Sequence, residues 1–347
     1  MEGLAEMAFR RHHAQIYRYL QRRTGDPDRA ADLAQEVFAD ATAALLRADF
    51  PPRSMLAWLY TIAQRRFADE GATSFKAYMN ITRAELGAAI AEAHARGIKV
   101  TGHLCSVTYG EAADLGIDNL EHGFLAATDF VGDKQPDACP PAAASRAALA
   151  ALTPDSPAFV ALAKKLIAKN VALTSTLTVF ETFTPGRPLP PGLDVLVPQL
   201  KEQFERGYAR TSANTASPYA TIFPKAMALE YAFAKMGGTL VAGTDPTGGG
   251  GVIPGFSNHR QLELLVEAGF TPLEAITVGT LNGAKYLGRD ARTGSIAVGK
   301  QADLLIVRGN PAANIADVRN VETVFKRGVG FDSAKLIESV KGRVGLW

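Results

Sequence analysis

The pattern of apolar residues changes near residue 71, and this change limits the folds that the chain can adopt. Before it, apolar residues recur at helical spacing, and only Gly3 and Gly25 precede Gly71. After it, short apolar runs alternate with amphipathic stretches, a pattern typical of βα units. No lysine occurs before Lys76, although lysine is common afterwards. The sequence therefore predicts two segments of different kinds.

The first segment, residues 1–70, is predicted to be a domain of three helices packed as a small bundle. Asp26 can cap a helix that begins at Pro27, because a carboxylate accepts from free backbone N–H groups and proline suits the first helical position. The Pro51-Pro52 pair ends this helix. A third helix is predicted from Ser54 to about residue 68.

The second segment predicts an α/β fold class, because strands that alternate with helices form parallel sheets. We expect an incomplete (β/α) TIM-like barrel over residues 71–290 and a remnant of a small β-sandwich over residues 291–347. The stretch 182–218 is rich in proline at its start and is predicted to form a long excursion over one face. The main predicted strands are 73–78, 99–103, 119–123, 171–176 and 238–245.

Four polar side chains stand at or just beyond the ends of predicted strands, namely Lys76, His103, His122 and Asp245. Because the strands of a (β/α) barrel all point the same way, these side chains are expected to converge at its C-terminal rim. Neutral imidazoles and a carboxylate are ligands for zinc-like ions. A lysine amine can join them once it is converted to a carbamate. Such a metal activates water and polarises a carbonyl, and a nearby carboxylate can carry the protons.

The motifs around these residues resemble those of the amidohydrolase superfamily, in particular the imidazolonepropionase-like hydrolases that include Xaa-Pro dipeptidase-type enzymes. The matching segments are GATSFKAYMNITRAEL, GHLCSVTYGEAADLGIDNLEHG, AGTDPTGGGGVIPGF and GSIAVGKQADLLIV. The resemblance implies a divalent metal, zinc, held by carbamylated Lys76, His103 and His122. It implies that Asp245 ligates a second metal and acts as catalytic base and acid. The implied reaction is hydrolysis of a C–N bond in a small amide, dipeptide or lactam.

The sequence also departs from that family. The family carries a His-x-His pair on its first strand, and this chain contains none. Three barrel strands and the opening half of the sandwich would precede Lys76, and the helical segment stands in their place. We therefore expect an incomplete binuclear site. Open strand edges favour pairing with another chain, which leaves a homo-oligomer open.

The helical segment resembles region 2 of the extracytoplasmic-function type of sigma factor. The matching text is FRRHHAQIYRYLQRRTGDPDRAADLAQEVFADATAALLRA followed by SMLAWLYTIAQRRFADE. The resemblance implies that this segment binds the RNA polymerase core through Asp32, Gln35 and Glu36. It also implies contacts with promoter DNA, where aromatic and arginine side chains stack on bases and pair with phosphates. The implied DNA-contact residues are Trp58, Arg65 and Arg66.

Bulk properties add weaker expectations. The formal net charge of +2 gives no general case for nucleic acid or membrane as a partner. No apolar run has the length of a bilayer span, and the N-terminus carries charges where a signal peptide would be apolar, so we expect a cytoplasmic protein. Cys105 and Cys139 lie far apart in the sequence and are expected to be unpaired thiols, with Cys105 as a packing residue.

Three interpretations stay open at this point. The chain is a metal-dependent amidohydrolase or its remnant, a sigma-like module that binds polymerase, or a chimeric chain with neither activity intact. Each proposed ligand also has a plainer interpretation. His103 and His122 would be buried core histidines, Lys76 would form a salt bridge at the rim, and Asp245 would begin a turn.

Overall fold

The computed structural model describes residues 2–47, 55, 56, 58–60, 62, 63, 72–246 and 250–345. Contacts divide the chain into two compact units. The first comprises Met1–Ala77 and Arg83–Thr101, and the second comprises Tyr78–Thr82 and Gly102–Trp347. The domain boundaries predicted at residues 70 and 290 stay predictions.

Two long helices open the first unit, α1 (Glu2–Thr24) and α2 (Pro27–Arg47). Asp26 caps α2 as predicted. The backbone N–H groups of Asp28 and Arg29 donate to Asp26 Oδ1 at 2.9 and 3.2 Å. Ile16 and Leu33 are fully or almost fully buried between the helices. The third predicted helix is helical wherever the structure describes it, at positions 55, 56, 58–60, 62 and 63.

The first unit continues with β1 (Ser74–Ala77), α3 (Arg83–His94) and β2 (Lys99–Gly102), whose final glycine is assigned to the second unit. The backbone N–H of Lys99 donates to the carbonyl of Thr73 at 3.4 Å, next to the start of β1. Exposure alternates along β1, as the strand period requires. The predicted α/β class is confirmed by this alternation of strands and helices.

The second unit contains three parallel strands, β3 (Asn119–Glu121), β4 (Ala172–Ser175) and β5 (Leu240–Ala242). Their central side chains are buried, because helices cover the sheet. The long excursion predicted for residues 182–218 contains a 16-residue helix that the sequence analysis did not predict. The helices of this unit are α4 (Tyr109–Leu115), α5 (Ala142–Ala151), α6 (Pro157–Ala168), α7 (Leu177–Glu181), α8 (Pro198–Ala213), α9 (Tyr219–Lys235), α10 (Phe256–Glu267), α11 (Pro272–Thr277), α12 (Gly283–Tyr286) and α13 (Ser333–Val340).

A separate antiparallel sheet forms near the C-terminus from β6 (Leu304–Val307), β7 (Val321–Lys326) and β8 (Val329–Asp332). We call it the small sheet. Within residues 291–347, predicted to be the remnant of a small β-sandwich, the first strand begins only at Leu304. Leu305 and Phe331 share one face, and Ile306 lies on the other, yet they are 57%, 42% and 49% exposed. Apolar side chains are therefore open to water on both faces.

The prediction of two unpaired thiols is wrong. Cys105 and Cys139 form a disulfide, with their sulfur atoms 2.23 Å and their Cα atoms 5.1 Å apart. Their separation of 34 residues in sequence gave no sign of this pairing. None of the described helices combines the length and the apolar run that a bilayer crossing requires.

Candidate functional site

Three of the four predicted metal ligands lie together in the second unit. His103 follows β2, His122 follows β3 and Asp245 lies three residues beyond β5. The ring centroids of the two histidines are 4.2 Å apart. The Nε2 atom of His122 lies 3.9 Å from Asp245 Oδ2. Two imidazoles and a carboxylate, each just beyond the end of a strand, thus lie together.

The fourth predicted ligand, Lys76, lies in β1 of the first unit, on the exposed side of the strand. Its role as a ligand stays a prediction. Across the described ranges, no three His, Cys, Asp or Glu side chains are grouped tightly enough to hold a metal ion. His103, His122 and Asp245 are therefore close together without having ligand geometry.

The backbone is unusual at two of these residues. His122 has a φ of 73° and Asp245 a φ of 55°, both in the left-handed region that L-residues seldom adopt. Each such residue costs on the order of 1–3 kcal/mol, and it persists only where the surrounding structure enforces it. Backbone strain at two adjacent polar residues points to a functional site.

Thr176, just after β4, fixes the ring of His122. Its Oγ1 lies 2.9 Å from His122 Nδ1, and the two residues are 4% and 2% exposed. In the tautomer with its hydrogen on Nδ1, His122 donates to Thr176, and the Nε2 lone pair is then available on the side of Asp245. Ligand histidines are commonly oriented through their second nitrogen in this way.

Aromatic rings border the two histidines. Tyr78 meets His103 edge-on at 4.9 Å between centroids, and Phe180 meets His122 at 5.8 Å. Phe180 also stacks against Tyr219 at 6.3 Å. Burial raises the pKa of Tyr219, and the charge of Arg146 opposes that effect. The site thus combines polar groups with an apolar wall.

Sequence reasoning missed the buried polar residues that support the site, among them Thr176, Tyr109 and Glu230. One signal was available for Glu230, which shares a helical face with Phe223, Met227 and other apolar residues of α9. A carboxylate on an apolar helix face is unusual, because burying an ionisable group without a partner is costly.

The residues predicted to contact polymerase lie on α2, where Asp32 and Gln35 are exposed and Glu36 is partly buried. Their spacing of three and four residues places them on neighbouring positions of one helix surface. Trp58 is partly buried. Arg65 and Arg66 lie outside the described residues.

Comparison with known families agrees with both resemblances. Residues 60–330 match the model of the amidohydrolase family, and residues 8–73 match sigma-70 region 2. The first match covers well over half of the 347 residues, so the chain belongs to the amidohydrolase family.

Individual relatives match this chain over different lengths. The imidazolonepropionase of Desulfotalea psychrophila is 44% identical over 61 residues, which are 17% of this chain and 15% of that protein. A solved Xaa-Pro dipeptidase with bound methionine has a TM-score of 0.53 at 20% identity, covering 82% of this chain and 62% of its own. A bottromycin amidohydrolase has a TM-score of 0.59 at 19% identity, covering 84% and 62%. These structures share the fold, and this chain spans less than two thirds of them.

Proposed function

We propose that this chain is built for metal-dependent hydrolysis of a C–N bond in a small amide, dipeptide or lactam. His103 and His122 would be ligands of one divalent cation, zinc by preference, and Asp245 would be a ligand and proton carrier. The observation that supports this most is the meeting of two imidazoles and a carboxylate at strand ends, with His122 and Asp245 both held in the left-handed conformation. Membership of the amidohydrolase family supports hydrolytic chemistry.

The chemistry of the donor set fits such a cation, because zinc-like ions prefer imidazole nitrogen and carboxylate oxygen. His122 and Asp245 would need to turn slightly toward a shared cation from their present separation of 3.9 Å. Lys76, as a carbamate, would add an oxygen ligand. When bound, the cation supplies Lewis acidity.

The remaining chemistry belongs to the side chains. Asp245 is 24% exposed, so its carboxylate can accept a proton from water and return it to a leaving amine. Phe180, beside His122, would restrict water on the apolar side. The chain contains no His-x-His pair, so we assign it one cation rather than two.

Metal analysis tests the proposal directly. The full chain, purified with zinc, is expected to hold one equivalent, which His122→Gln loses and which His94→Gln, a change at an exposed helix residue, retains. Asp245→Asn is expected to lower the hydrolysis of a dipeptide panel by at least about 100-fold. Absence of zinc, or zinc that survives His122→Gln, would refute the metal assignment, and absence of turnover would refute the hydrolase assignment.

A second function is favoured by the sigma-70 region 2 match and by the exposure of Asp32 and Gln35. We propose that this segment binds RNA polymerase core. A pull-down is expected to recover core polymerase, to fail with the double variant Asp32→Ala, Gln35→Ala, and to succeed with Glu6→Ala on α1. If the wild-type chain recovers none, the assignment is wrong. A chimeric chain without either activity would fail in both experiments.

A further inference from the structure

Hydrogen bonds enclose the turn that carries His122. The hydroxyl oxygen of Tyr109 lies 2.7 Å from the carbonyl oxygen of Glu121 and 2.9 Å from that of Gly123. The N–H of Gly123 donates to the carbonyl of Thr174 at 2.9 Å. Tyr109 is fully buried, so water does not compete for its hydroxyl. The backbone is therefore tied on both sides of the strained histidine.

A buried carboxyl group packs against the same turn. Glu230 on α9 has no exposed surface, and in the described chain its carboxylate oxygens have no hydrogen-bond partner of normal geometry. A Cβ atom added at Gly123 would come within 1.8 Å of Glu230 Oε1. Burial raises the pKa of Glu230 to about 8, against a smaller opposing effect of the Ser175 hydroxyl. The carboxyl group thus lies directly against the residue that follows His122.

Ser175, whose hydroxyl opposes the rise in the pKa of Glu230, belongs to a longer chain of polar groups. Gln261 Nε2 donates to Ser175 Oγ at 2.7 Å, and Gln261 Oε1 accepts from the N–H of Thr178 at 3.2 Å. Ser175 and Gln261 have no exposed surface. Apolar side chains in these positions would make the folded protein more stable, because buried polar groups carry a desolvation penalty. Its presence beside His122 therefore calls for a role other than stability.

We infer that Glu230 and Tyr109 are positioning residues for His122, which together hold the turn at residues 121–123 in the conformation that turns the imidazole toward Asp245. That this orientation serves metal binding rests on the proposed function, whereas the contacts of Tyr109 and Glu230 with the turn do not depend on it. The Tyr109 hydroxyl lies between the carbonyls on either side of the histidine and donates its one hydrogen to them, and Glu230 fills the space that only a glycine at position 123 leaves open.

The orientation of His122 can be measured in the metal-free full chain by the ring ¹⁵N shifts, which report the tautomer. His122→Gln assigns the signal. We expect one tautomer in the wild type, in Glu230→Gln and in the control Leu229→Met, which changes a buried neighbour on the same helix. We expect mixed tautomers in Glu230→Met and in Tyr109→Phe, although Glu230→Met should be at least as stable to heat as the wild type.

Cobalt binding gives a second measurement, since its visible spectrum reports ligand geometry. Glu230→Met and Tyr109→Phe are expected to weaken cobalt binding by about 10–100-fold, the usual effect of losing support behind a ligand. Wild-type tautomer and cobalt affinity in both variants would overturn the inference. If Glu230→Met does not fold, Tyr109→Phe decides alone. If the wild type binds no cobalt, the proposed function fails, and the tautomer measurement still decides the inference.

Discussion

The parallel strands of the second unit and the small sheet are built from similar residues but differ in what covers them. Leu120, Leu173 and Leu240 on β3, β4 and β5 have no exposed surface. Leu305 and Phe331 on β6 and β8 are about half exposed. The difference arises because helices cover the parallel strands, whereas the small sheet leaves apolar side chains exposed on both faces.

The covered region can therefore hold polar groups in fixed positions, because water does not compete for their hydrogen bonds. His122, Thr176 and Glu230 all lie there. In the small sheet, polar groups meet water, and substitutions should have little effect. Three pairs of substitutions, each with one member in either region, and one pH measurement in the covered region test this contrast.

Glycine substitutions should show the largest contrast. Gly123→Ala places a Cβ within 1.8 Å of Glu230 Oε1 at a φ of 56°, so we expect a loss of more than about 4 kcal/mol and little folded protein. Gly328→Ala, in the turn between β7 and β8, has a φ of 82° but meets nothing within 4 Å. It should lose only about 1–2 kcal/mol. Urea unfolding measures both, and equal losses would contradict the contrast.

The second largest contrast in stability is expected between two ion pairs, one in each region. Glu181, at the end of α7, is 9% exposed and pairs with Arg187 and Arg260 at 2.8 and 2.6 Å. Glu181→Gln should cost about 3 kcal/mol, because it leaves two partly buried guanidinium groups with less compensating negative charge. The Arg308–Glu322 pair of the small sheet has side chains that are 81% and 44% exposed. Glu322→Gln should cost less than about 1 kcal/mol. A larger loss at the exposed pair, in the same unfolding assay, would reverse the ranking.

The raised pKa of Glu230 should make the free energy of unfolding depend on pH. Its pKa in the folded protein is about 8, above the ordinary value of 4.5, so the folded state binds the proton more tightly. The stabilisation is complete below pH 4.5 and is lost as the pH rises toward 8, with a slope of up to about 1.4 kcal/mol per pH unit. The free energy of unfolding of the wild type, minus that of Glu230→Gln, should fall accordingly between pH 5 and 8. A flat difference would show that Glu230 is not protonated in the folded protein.

The smallest effect is expected for Leu305→Thr on the small sheet. Because the side chain is already 57% exposed, stability should change by less than about 0.5 kcal/mol. Leu173→Thr, at a position with no exposed surface, should lose several times more. Thermal unfolding compares the two, and light scattering should show less self-association for Leu305→Thr. A large loss at Leu305 would mean that another surface covers this face.

Local patterns in the sequence predicted the local features well. The cap at Asp26 and the strand ends before His103 and His122 follow from residue order and periodicity. The helix at residues 198–213 was missed because the prolines before it favour an irregular chain, and proline is also tolerated at the first helical position.

Contacts between distant parts of the chain could not be predicted in this way. Thr176 reaches His122 across 54 residues, and Cys139 reaches Cys105 across 34. Such pairs depend on how strands and loops pack in three dimensions. The sequence therefore indicated the candidate ligands but not the groups that hold them.

The disulfide between Cys105 and Cys139 closes a covalent ring around the residues between them, and His122 lies inside that ring. A protease that cuts the backbone within it would leave the two fragments attached. Two fragments made by a single cut of this kind separate only when the disulfide is reduced as well.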